Sequence, residues 1–230
     1  MSAVRHVGDW ILSAKARPTS VSPDRSAVFS FDLEGRPLSW FASGRVYKRS
    51  LSSAVFGRER SGGSRTHWEE PRERTVELFA GLLEAVARAP RAGLDERLLD
   101  RLDRILRWTP ETLLAERDRF EAAYRPVSIL PPDHYLSVVL QATVGRSWNR
   151  CTFCGFYQDE PFHARGPEEF REHCRRVAEL LGRAETLRPR IFLAGGNALV
   201  LANQRLRPLL RAARDAFPGR GIGSFVDVYT

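Results

Sequence analysis

The chain has 230 residues, 43% of them apolar and 28% charged. That is ordinary globular composition, enough for one large domain or two small ones. No apolar run approaches the ~20 residues of a membrane span, and Trp10-Ile-Leu12 is too short for the core of a signal peptide, so a cytoplasmic protein without a membrane partner is expected. The formal net charge is +8, carried almost wholly by arginine, since only Lys15 and Lys48 are lysines.

Most arginines are interleaved with Asp and Glu, so they read as solvated helix faces rather than as a polyanion site. The stretch from Arg45 to Arg74 is the exception, because basic residues crowd there. A basic nucleic-acid-binding module is therefore one alternative reading, although no RNA-recognition signature accompanies the stretch.

Taken in chain order, residues 1–26 show no clear period and read as irregular. Val28-Phe-Ser-Phe-Asp-Leu33 and Leu38-Ser-Trp-Phe41 flank a Gly/Pro turn, which predicts a β-hairpin. Val46-Tyr-Lys-Arg49 is a candidate third strand. Residues 50–71 are poor in apolar side chains and carry Gly57, Gly62 and Gly63 among arginines and serines, the composition of a connector. From 72 to 124 the spacing predicts three helices. The first carries Val76, Phe79, Leu83 and Val86; the second Leu98, Leu102 and Ile105; the third opens at Thr109-Pro110. Pro126, Pro131 and Pro132 then mark a boundary.

Beyond it, apolar strand runs alternate with amphipathic helices. The strands are Tyr135–Leu140, Arg190–Leu193 and Ile222–Tyr229, and the helical stripes are Phe170, Cys174, Val177, Leu181 and then Leu206, Leu209, Leu210, Ala213. That order implies βαβ units and a parallel sheet. Ligands bind such sheets beyond the carboxyl ends of the strands. The loops Gly145–Phe162 and Ala194-Gly-Gly-Asn197 fall there.

Three cysteines, Cys151, Cys154 and Cys174, are too few and too unevenly spaced for a secreted disulfide scaffold. Cys151 and Cys154 form a C-x-x-C pair, whose thiols can reach one soft metal centre. By itself the pair fits half a zinc site, a redox dithiol or part of an iron–sulfur site. No P-loop, G-x-G-x-x-G or G-x-S-x-G motif is present.

The stretch Ser147-Trp-Asn-Arg-Cys-Thr-Phe-Cys-Gly-Phe-Tyr157 resembles the cluster loop of radical S-adenosylmethionine (SAM) enzymes. In that family three cysteines hold a [4Fe–4S] cluster and SAM chelates the remaining iron. Reductive cleavage of SAM then gives a 5′-deoxyadenosyl radical that abstracts hydrogen from a substrate. The resemblance covers roughly the last 95 residues. It implies that Cys151 and Cys154 are metal ligands, that Phe153 lies near the adenine, and that Gly195, Gly196 and Asn197 bind SAM as the family's Gly-Gly-Glu-like motif does. Ser224 and Asp227 fall on the third strand, where some relatives place polar SAM contacts.

The chain departs from the pattern in two ways. The position of the first cysteine is held by Ser147 or Arg146, depending on spacing, and three strands are present where the family's barrel usually has six. His163, on the loop side of the next helix, is the candidate replacement ligand. Cys174, on an apolar face, reads as a buried thiol. Asp159 and Glu160 read as solvated loop charges. His6, His67, His134 and His173 have no partner pattern.

The expected fold class is α/β: a partial, truncated parallel (β/α) barrel of about three strands over 131–230. It follows an α+β, mainly helical N-terminal region over 1–130. The expected function is [4Fe–4S]- and SAM-dependent radical chemistry on a small-molecule or peptide substrate. The alternative is an inactive relative that keeps at most SAM or partner binding. The unpaired edge of so short a sheet is open to a partner or a second copy.

Overall fold

Alternating polar and apolar positions in the first seventy residues build strands, because one face of each meets helices and the other meets water. The structure, a computed structural model, describes residues 3–16, 18–24, 26–61, 64–126, 129–145, 161–195 and 198–226. It divides into two units, Met1–Phe120 and Glu121–Thr230.

The first unit is an eight-stranded antiparallel meander. Its strands are β1 (Ala3–Val7), β2 (Trp10–Ala14), β3 (Thr19–Asp24), β4 (Ala27–Phe31), β5 (Pro37–Ala42), β6 (Arg45–Arg49), β7 (Val55–Ser61) and β8 (Ser64–Glu69). Each strand pairs with its neighbour in sequence. One row crosses the whole sheet in register: Arg5, Leu12, Val21, Phe29, Trp40, Tyr47, Gly57 and Trp68. Directly opposed residues share a face, so this row forms the floor of the core. Gly57 stands in it for a steric reason: a Cβ there would run into the indole of Trp68.

Three helices follow, α1 (Arg72–Ala87), α2 (Glu96–Leu106) and α3 (Pro110–Ala123). Phe79, Leu82 and Val86 of α1, Leu98, Leu102 and Ile105 of α2, and Leu113 of α3 join Leu12, Val21, Phe29, Phe31, Trp40 and Tyr47 in one apolar cluster. Full burial of each such side chain contributes about 1.5–3 kcal/mol. Asp95 caps α2 by accepting the Leu98 N–H at 2.9 Å, and Thr109 Oγ1 caps α3 by accepting the Thr112 N–H at 3.3 Å.

A buried ionic cluster ties the β4–β5 turn to α3. Arg36 donates from Nε to Asp32 at 2.8 Å and from its terminal guanidinium nitrogen to Glu116 at 2.7 Å. All three residues are buried. Gly35 (φ +85°) lies so close to the backbone of Arg104 that a Cβ would sit 2.6 Å from its carbonyl carbon. Arg49 donates to Pro37 O and Ser53 Oγ, and burial together with the charge of Arg36 pushes it down to about 10.

The second unit holds β9 (Val138–Gln141), β10 (Thr143–Val144), β11 (His163–Ala164), α4 (Pro167–Leu181), β12 (Arg190–Ala194), α5 (Asn203–Ala216) and β13 (Gly221–Ser224). β12 lies between β9 and β13 and runs parallel to both. Its core is Val138, Leu140, Phe170, Val177, Leu180, Ile191, Phe192, Leu193, Leu209, Ala213 and Phe217.

The expected fold class is overturned. An antiparallel eight-stranded sheet, not a mainly helical region, dominates the first unit, and among the described residues the three parallel strands form a small open sheet and no barrel. Residues 1–26, read as irregular, supply β1–β3, and residues 50–71, read as a connector, supply β7 and β8. The reason is physical. β3 contains Pro23, and β7 and β8 alternate mostly charged or small residues, so neither carries the apolar run by which a strand is recognised.

Candidate functional site

The carboxyl edge of the parallel sheet is built from backbone ties. The Ala142 N–H donates to Ala194 O at 3.2 Å, and the Ala142 carbonyl accepts the Arg165 N–H at 3.1 Å. β10 and β11 then pair antiparallel, Thr143 opposite Ala164 and Val144 opposite His163. The loop that leaves β10 and returns at β11 is thus clasped at its base. Its start is Gly145, at φ +68°. Gly195, directly after β12, has φ +118° and lies so close to Thr143 that a Cβ would meet both the Thr143 hydroxyl and its carbonyl. Only glycine allows this approach. Thr143 is fully buried, and its hydroxyl has no hydrogen-bond partner among the described residues.

On the far side of the clasp, His163 Nε2 donates to Glu169 at 2.7 Å, and Arg165 donates to the other oxygen of the same carboxylate at 2.7 Å. Burial pushes the Glu169 carboxyl upward, but the His163 bond and the Arg165 charge outweigh it and hold the group below the usual range. Glu169 sits in the first turn of α4, where the helix dipole also favours an anion. Burial is the main cause that holds the Arg165 guanidinium below its ordinary value.

Three residues given no site role by their sequence pattern, His173, Gln141 and Tyr124, are fixed in the interior. His173 is buried on α4: its Nε2 accepts the Gln141 N–H at 2.8 Å and its Nδ1–H donates to Ala123 O at 2.9 Å. Burial, then the charge of Arg165, pushes it down to about 4, so the ring is neutral at pH 7. The Gln141 side chain in turn accepts the Arg125 N–H at 2.9 Å and donates to Arg125 O at 3.0 Å. Tyr124 donates to Val139 O at 2.9 Å. Segment 123–125 is therefore laced onto β9 and α4. The only signal for this was that His173 is beside Cys174 on the apolar side of a helix.

Cys174 is buried, and burial pushes its thiol up to about 12. It is a protonated core thiol. Ser224 donates its hydroxyl to Leu193 O at 3.0 Å, closing the end of β13 on β12. Of the SAM and cluster positions, Gly195 is at the sheet edge; Cys151, Phe153, Cys154, Gly196 and Asn197 lie outside the described residues, as do Arg146, Ser147, Asp159, Glu160 and Asp227. Among the described residues no group of three His, Cys, Asp or Glu side chains can hold a metal ion. No described helix is long and apolar enough to cross a membrane.

No family model, no curated protein and no solved structure matches the chain.

Proposed function

We propose that the second unit is a SAM-binding unit of the radical SAM type, in which Cys151 and Cys154 hold a [4Fe–4S] cluster and Phe153, Gly195, Gly196 and Asn197 line the SAM pocket. The observation that carries the reading is the meeting of two loops at one sheet edge: the base of the Cys151–Cys154 loop at Thr143 and the turn after β12 at Gly195. Two features of that edge suit a polar ligand. Thr143 has a buried hydroxyl without a partner among the described residues, and Gly195, at φ +118°, brings the turn after β12 directly against that hydroxyl. Thiolates suit iron. When bound, the cluster supplies the electron that cleaves SAM to a carbon radical.

The chain's own work at this edge is positional. The β10–β11 clasp fixes both ends of the cysteine loop, and the Glu169 carboxylate holds the return strand through His163 and Arg165.

A specific observation favours a second reading, a relative that binds SAM without radical chemistry. Cys174 does not fit as the missing third ligand, because it is a buried thiol held protonated. Anaerobic reconstitution with iron and sulfide separates the two. The first reading expects iron bound in proportion to sulfide, lost in Cys151→Ala and Cys154→Ala, with 5′-deoxyadenosine formed under reduction. SAM retained in equilibrium dialysis, with no iron and no 5′-deoxyadenosine, establishes the second. Neither iron nor SAM retained would sink both.

A further inference from the structure

The face of the meander opposite the helices carries a second constellation, in the first unit and independent of the reading above. Two adjacent rows of this face run in register across β4–β8. One is Val28, Phe41, Val46, Arg58, His67; the other is Ser30, Ser39, Lys48, Phe56, Glu69. Directly opposed residues share a face, so these ten side chains form one lattice. Phe41 and Phe56 are 39% and 45% exposed, and Val28 is 43% exposed. Lys48, Arg58 and His67 are exposed as well, and Arg65 stands on the same face of β8, two residues before His67. Neither Lys48 nor Arg58 forms an ion pair with a carboxylate of a described residue.

Rings and cations share the lattice: Phe41 stands between Val28 and Val46, and Phe56 between Lys48 and Glu69. Phe56 is opposite Lys48 on β6 and two residues from Arg58 on its own strand, while Phe41 lies in the row of Arg58. A spacing of ~4.8 Å between strands and a rise of ~3.4 Å per residue put the two rings about 12 Å apart. A stretched trinucleotide covers that distance. Exposed aromatics with cations between them are what unpaired bases and their phosphates require: rings to stack on, positive groups to track the backbone. A second copy of this chain is a poor occupant, because face-to-face pairing would set Lys48, Arg58 and Arg65 against themselves. A duplex is a poor one too, since its bases are already stacked and offer the rings nothing.

We propose that this face of β4–β8 binds single-stranded nucleic acid, with Phe41 and Phe56 as stacking platforms and Lys48, Arg58 and Arg65 as phosphate contacts. The single feature that carries it is the placing of two exposed phenylalanines, Phe41 and Phe56, on one sheet face with the exposed cations Lys48, Arg58 and Arg65.

The test is fluorescence anisotropy of a short labelled oligouridylate with the full chain. Binding is expected at low salt, weaker by about fivefold or more for each of Phe41→Ala and Phe56→Ala. Phe→Tyr at either position, which keeps the ring, should bind as wild type, whereas Phe→Leu, which keeps apolar bulk without the ring, should not. Lys48→Glu with Arg58→Glu should flatten the slope of log affinity against log salt by about 1.4. Arg171→Glu with Arg175→Glu on α4 should change affinity little. The proposal is overturned by any of four results: no binding at low salt; Leu variants that bind as well as Tyr variants; a duplex of the same length bound as tightly; or polyglutamate displacing the strand as effectively as unlabelled oligouridylate, which would mark an acidic-protein surface.

Discussion

Protonation of His173 should set the acid limit of the second unit. The ring is neutral in the fold because burial and the Arg165 charge disfavour the cation, and because Nε2 is occupied as an acceptor by the Gln141 N–H. Glu169 and the Ala123 carbonyl oppose the shift, and Arg176 adds to it. The folded group titrates at about 4, against 6.5 for the free side chain. In the interval between, the unfolded chain binds more protons, so stability rises with pH there and levels off above 6.5. From pH 8 to pH 5 the linkage removes about 2 kcal/mol, and about 3 kcal/mol once the pH is below 4. His173→Phe abolishes this dependence while stranding Gln141 N–H and Ala123 O, at about 1–3 kcal/mol each. Denaturant unfolding of the two proteins should therefore show a gap at pH 8 that narrows by about 2 kcal/mol at pH 5. A gap of constant size would refute the reasoning. So would a wild-type nitrogen-correlated NMR titration in which His173 protonates near its free value or carries its proton on Nε2, and that measurement needs no variant to fold.

Other substitutions probe the remaining structure. Glu116→Ala should destabilise the first unit by about 3–5 kcal/mol, because it takes a carboxylate partner from the buried Arg36 guanidinium; chemical denaturation checks this, and a loss below ~1 kcal/mol would show that the cluster is hydrated. Gly57→Ala should cost about 1–3 kcal/mol through collision with Trp68, and Trp68→Ala should absorb most of that cost in a double-mutant cycle. Gly195→Ala should lower both the melting temperature and any SAM retention, and Thr143→Ala should fail to rescue it, since the Thr143 backbone carbonyl is also in the way. Cys174→Ala should leave iron uptake on reconstitution unchanged, while Cys154→Ala should abolish it.

The elements that were legible in the sequence are those that set several large apolar residues on one face. Val28 to Phe41 reads as a hairpin because Phe29, Phe31 and Trp40 alternate with small polar residues, and α1 and α2 read as helices because Phe79, Leu83, Val86 and then Leu98, Leu102, Ile105 recur at helical spacing. Among the strands that escaped notice, β7 and β8 carry mostly charged or small residues beside the few that face inward. On β7 the inward residues are Val55 and then Gly57, and the place of a Gly57 side chain in the core is filled by Trp68 from the next strand, so part of the hydrophobic signal belongs to a different segment from the one it stabilises. At the sheet edge, Gly195 was legible as a glycine turn. Its partner Thr143 was not, since a close approach between residues some fifty apart leaves no local pattern. His173 was opaque for the same reason: its partners are a strand amide and the carbonyl at the end of α3.

The meander has a consequence for how the chain is made. Each strand pairs only with its neighbour in sequence, so every hairpin can close soon after its second strand leaves the ribosome, and the entropic cost of each closure is small. The helices that cover its apolar row come later, the last of them ending at Ala123. During that interval Val21, Phe29 and Trp40 stand on a preformed, naked sheet with two open edges, a surface prone to association with other nascent chains. Slowing synthesis between β8 and α3 should therefore raise the demand for chaperones more than slowing it anywhere earlier.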